Sequence, residues 1–125
     1  MNIFTPGLIS AAVFFFFSLA SGIWLSQLGK PVNVVVVTIH KLISLAAVIF
    51  TGIAIYNLSR AAGASPLAWG AIVVTGLLFI LLFITGALLS GSKPVHIAFS
   101  VIHKVAPLLS VISTVVTVYL LAAGG

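Results

Sequence analysis

Apolar residues run through this chain in four long blocks, roughly 7–28, 32–58, 67–90 and 95–122, with only short polar interruptions between them. None of the blocks alternates polar and apolar positions as a half-buried strand would. Each is long enough, as a helix rising about 1.5 Å per residue, to cross a hydrocarbon core of about 30 Å. The pattern predicts an all-α membrane protein of four transmembrane helices. The short connections predict an up-down-up-down bundle. Little chain is left for a soluble domain, so we expect a single transmembrane domain over 1–125.

The polar punctuation repeats. Lys30-Pro31-Val32 is followed by Ile39-His40-Lys41, and 63 residues later Lys93-Pro94-Val95 is followed by Ile102-His103-Lys104. In the same register Thr51 matches Thr114, Tyr56 matches Tyr119 and Leu58 matches Leu121. Of the 29 aligned pairs, 12 are identical. Valine and leucine pairs carry little weight between apolar helices; lysine, proline, histidine and tyrosine in one register carry much more. The chain therefore reads as a duplicated two-helix unit, with one repeat over about 7–60 and the other over about 67–123.

Composition sharpens the class. Of 125 residues 62% are hydrophobic and 4% charged, with no Asp or Glu. No soluble domain could cover its surface with so few charges. The net charge of +5 would suggest nucleic acid in a soluble domain, but here the cations sit in the loops and helices of a membrane protein, so nucleic acid is not an expected partner. The absence of cysteine removes disulfides, iron–sulfur clusters and covalent haem attachment. The first block lacks the basic start of a cleaved signal, so it reads as a retained helix. Lys30 and Lys93 mark one membrane side and Arg60 the other. The positive-inside rule then puts both termini outside, in a membrane of the prokaryotic inner type.

Candidate chemistry centres on His40 and His103. Each follows its lysine by ten residues, about 15 Å along a helix, which predicts two histidines at matching depth on two parallel helices. An ionisable residue at that depth is a functional candidate by default. The competing reading is a neutral histidine joining helices through a hydrogen bond. Two imidazoles alone do not make a zinc or copper site, and no cysteine or carboxylate is present to complete one. A porphyrin brings four nitrogens of its own, so one bis-histidine haem b asks least of this chain. The other ring nitrogen of each histidine is expected to donate to a carbonyl one turn back, around Val36 or Phe99.

Other residues gather around this pair. Lys41 and Lys104 have no carboxylate side chain in the chain to pair with. They could meet two haem propionates, or snorkel to lipid phosphate, or pair with an acid on a partner subunit. Gly22 and Gly86 fall at the depth of the histidines within the related strings Ser21-Gly22 and Thr85-Gly86. They could admit a large planar ring or serve ordinary small-residue packing. His96 aligns with Asn33 and reads as an interfacial residue, or as a donor to a propionate or a quinone head group. Three histidines cannot make two bis-histidine sites, so one haem is expected. Tyr56, Tyr119 and Trp69 read as interfacial anchors, and Pro107 as a kink in the last helix.

With His40 and His103 in a four-helix frame, the chain resembles the small membrane b-type cytochromes, as in cytochrome b561 and ferric-reductase-like bundles. The resemblance covers the whole chain but rests on that histidine pair alone; those families often carry more histidines and two haems. It implies electron transfer, linked to quinone or to other membrane redox subunits, by a subunit of an oxidoreductase rather than a stand-alone enzyme. A homo-oligomer is the other expected assembly. Three alternatives stay open: a chlorophyll-type pigment-binding subunit, a cofactor-free membrane subunit, and a small transporter.

Overall fold

The structure is a computed structural model and describes residues 5–91 and 93–123. Four helices account for nearly all of them: α1 (Pro6–Leu28), α2 (Val34–Ala62), α3 (Pro66–Ser90) and α4 (Ile97–Ala122). No strand occurs among the described residues. The fold is all-α, as the hydropathy pattern predicts. All four are long and apolar enough to cross a membrane, and most of each helix's surface points outward. Helices this apolar, with most of their surface outward, require a lipid bilayer around them.

The helix starts are set by local chemistry. Thr5 and Ser65 cap α1 and α3 with their hydroxyls, and Pro6 and Pro66 fill the first helical turn, where a missing N–H costs nothing. Helices α2 and α4 begin two residues later than the hydrophobic blocks suggest. There the caps are Asn33, whose Oδ1 accepts from Val36 N–H at 3.1 Å, and His96, whose Nδ1 accepts from Ala98 N–H at 3.0 Å. Helix α2 stops at Gly63, which adopts φ +74° and donates its N–H to the Ser59 carbonyl, the left-handed turn that glycine makes cheaply.

The chain divides into two compact units within α2, one reaching Tyr56 and the other starting at Asn57. In the first, α1 packs antiparallel on α2. Phe14 stacks on Phe50 with ring centroids 5.3 Å apart, the Ser18 and Ser44 hydroxyls bond to each other, and Ser21 meets His40. In the second, α3 packs antiparallel on α4. Thr75 bonds to Ser113 at 2.6 Å and to Thr117 at 3.1 Å, and Thr85 meets His103. Each repeat is thus a helical hairpin. The first is closed by aromatic stacking and hydroxyls, the second by hydroxyls along its length.

Candidate functional site

Each hairpin holds its histidine in the same three-part socket. In the first, Ser21 Oγ lies 2.9 Å from His40 Nδ1. In the second, Thr85 Oγ1 lies 2.8 Å from His103 Nδ1. Both hydroxyls are buried, Thr85 to 1% exposure and Ser21 to 8%. Each also reaches a carbonyl of its own helix: Ser21 the Ser18 carbonyl at 3.0 Å, Thr85 the Leu81 carbonyl at 2.8 Å. This is the usual way for a short hydroxyl side chain to satisfy itself inside an apolar helix.

The residue after each hydroxyl is glycine, and its lack of a side chain makes room for the imidazole. A Cβ on Gly22 would come within 3.0 Å of His40 Cε1, and one on Gly86 within 3.1 Å of His103 Cε1. The planar ring these two glycines admit is therefore the histidine's own. Hydroxyl and glycine stand side by side on one helix, and the ring from the next helix lies across the pair. Histidine and lysine adjoin in each repeat, and both Lys41 and Lys104 are exposed, about 100° around the helix from the half-buried rings.

Several expectations are sharpened or replaced. At Nδ1 each histidine meets a hydroxyl of the preceding helix rather than the expected carbonyl near Val36 or Phe99, and His40 also bonds to the backbone at Ser18. The reason is steric: the glycine notch draws the ring across to its neighbour. His96 and its counterpart Asn33 are both helix caps, a role visible in their place just before the apolar blocks. Ser21 and Thr85 are functional candidates that a search for metal ligands passes over. Their signal is the shared string Ser/Thr-Gly-x-x-Leu-Ser.

The two sockets differ in one respect. Ser44, four residues after His40, donates its hydroxyl to the His40 carbonyl at 2.7 Å. The corresponding residue after His103 is Pro107, inside α4, which has no N–H to give the His103 carbonyl.

Each socket offers a metal one imidazole nitrogen. In both sockets the hydroxyl engages Nδ1, so Nε2 is the ring atom that a metal would take. No group of three or more His, Cys, Asp or Glu residues that could hold a metal ion occurs among the described residues. A group that brings most of its own ligands suits two imidazoles best. No protein-family model matches the chain, and no curated protein or solved structure is significantly similar to it.

Proposed function

We propose that this protein is a b-type membrane cytochrome in which His40 and His103 would hold one haem b. The observation that carries the reading is the duplicated socket: a buried hydroxyl on Nδ1 and a glycine against the ring, in both hairpins. A metal-ligating histidine characteristically has its other nitrogen held in this way. Iron with two imidazole ligands exchanges single electrons and keeps no open position for oxygen. Lys41 and Lys104 are the cations nearest in sequence to the ligands and would offset propionate charge. The electron partners in this reading are other membrane redox subunits or a quinone, and the Lys30 and Lys93 turns face the cytoplasm.

The Nδ1 hydrogen bonds also favour a second reading, a cofactor-free membrane subunit in which each histidine ties two helices together. Absorption spectra of the purified protein separate the two. Spectra are taken oxidised and dithionite-reduced for wild type, His40→Ala and His103→Ala, from a host that supplies haem. A low-spin b-type spectrum, lost or turned high-spin in both variants, is expected. A magnesium-pigment spectrum would move the assignment to pigment binding. A colourless wild type would leave the cofactor-free reading.

A further inference from the structure

We propose that the groove between α3 and α4 seats one acyl chain of a phospholipid from the leaflet at the Arg60 end, held as a bound lipid rather than as exchanging solvent. The groove has a volume of about 630 Å³ and an almost wholly apolar lining, which suits a hydrocarbon chain. Pro66, Gly70 and Leu78 line it from α3, and Leu109, Ser113 and Leu120 from α4. Ser113 brings a hydroxyl to that lining, and it is already bonded to Thr75 at 2.6 Å. Pro66 is the first residue of α3 and stands at the membrane surface. Leu78 lies about 18 Å deeper along the helix. Half of a hydrocarbon core of about 30 Å is ~15 Å. The groove therefore runs from the interface to the bilayer midplane, the path of one chain in one leaflet. A transmembrane helix of a second copy would cross both leaflets, and the groove covers only one.

The repeat accounts for the space. In the register that pairs His40 with His103, Phe50 falls on Ser113; in the register that pairs Gly22 with Gly86, Phe14 falls on Leu78. Phe14 and Phe50 stack with ring centroids 5.3 Å apart. The first hairpin thus fills with its own rings the place that the second leaves open. A Cβ built on Gly70 meets nothing within 4 Å, so α3 leaves room on its side as well. Atoms lining an unfilled space forfeit dispersion contacts that a seated chain restores. Arg60 lies in the last turn of α2, a short connection before Pro66, and so near the level of the lipid phosphates. A guanidinium carries five N–H donors in a fork that matches phosphate, enough to hold one alongside another partner. An uncharged prenyl tail would gain nothing from that cation. The seat does not depend on the haem reading.

The test is native mass spectrometry of the full chain, extracted in mild detergent from vesicles of phosphatidylethanolamine and phosphatidylglycerol and washed with lipid-free detergent. Wild type is expected to retain one phospholipid per chain. Leu78→Phe with Ser113→Phe, which installs the residues of the first hairpin, should lose it. Gly70→Leu should lose it too, and it fills the groove without removing a Thr75 partner. Gly52→Leu is the control: a Cβ there also meets nothing within 4 Å, but Gly52 lies on α2, and the lipid should stay. Arg60→Gln should lower retention several-fold. Circular dichroism should show wild-type helix content in every variant. Retention of the lipid in Gly70→Leu and in the double variant overturns the seat, as does a wild type that retains none. A quinone or other uncharged isoprenoid released by the filling variants overturns the phospholipid assignment. A wild-type dimer that the same variants split overturns it in favour of a second copy. Unchanged retention in Arg60→Gln overturns the headgroup contact.

Discussion

Gly86 leaves no room for a side chain beside His103: a single added Cβ would stand 3.1 Å from His103 Cε1. Gly22 and His40 repeat it at 3.0 Å. An alanine at either position therefore displaces the ring by a few tenths of an ångström and strains the hydroxyl bond that holds it. Gly22→Ala and Gly86→Ala should each cost about 1–3 kcal/mol, the usual range for overpacking. Gly52 and Gly76 are the controls, since nothing lies within 4 Å of a Cβ built on either. There alanine should stabilise the helix by roughly 0.5–1 kcal/mol. Unfolding in mixed micelles by titrated denaturing detergent measures both. Equal effects at all four glycines would mean that the notch is not what fixes the ring.

The second hairpin depends more on hydroxyls than the first. Thr75 bonds to Ser113 and Thr117 across α3 and α4, where the first hairpin stacks Phe14 on Phe50. Hydrogen bonds between membrane helices contribute about 0.6 kcal/mol on average and rarely above ~1.7. A double-mutant cycle on Thr75→Val and Ser113→Ala should give a coupling in that range. The same cycle on Thr75→Val and Thr85→Val, ten residues apart on α3 and so about 15 Å along it, should give none. A zero coupling for the first pair would mean that the hydroxyls serve only their own helices.

Thr51 and Thr114 occupy the same register of the repeat but differ in satisfaction. Thr51 is buried and donates to the Ala47 carbonyl at 2.7 Å, whereas the Thr114 hydroxyl oxygen is buried with no hydrogen-bond partner among the described residues. An unsatisfied buried hydroxyl costs about 1–3 kcal/mol, and replacing it by an apolar group of like shape relieves that cost. Thr114→Val should therefore stabilise the protein by about 1 kcal/mol, and Thr51→Val should destabilise it by a similar amount. Opposite signs in the same unfolding assay are the expected result. Destabilisation by Thr114→Val would reveal a partner for its hydroxyl in the bilayer-embedded protein.

Helix number, helix length and the duplicated histidines could be read directly from the sequence, because apolar runs and rare polar residues are strong signals in a membrane chain. The faces that meet within each hairpin could not. Helices α1 and α3 are apolar on every side, so hydrophobic periodicity carries no direction. Only hydroxyls and small residues mark the contact, and they are common in such helices. That is why Ser21 and Thr85 stood in a visible motif without an assigned role. The two glycines were readable as sites of close approach, yet not as the seat of an imidazole. The expected carbonyl partner near Val36 or Phe99 failed for a related cause. Within-helix spacing says nothing of a notch on the neighbouring helix.

His96 offers a direct separation of a structural role from a haem role. Its Nδ1 accepts the Ala98 N–H at the start of α4, as Asn33 Oδ1 accepts the Val36 N–H at the start of α2. Asparagine is among the best caps and alanine among the poorest, a difference of about 1 kcal/mol. His96→Asn should leave stability unchanged, while His96→Ala should lower it by about that amount. If capping is the whole role, haem content and midpoint potential stay at wild-type values in His96→Asn. A stable His96→Asn protein with altered haem uptake would instead assign the ring to the cofactor or to a quinone head group. The asparagine variant is the informative one, because it removes the imidazole and keeps the cap.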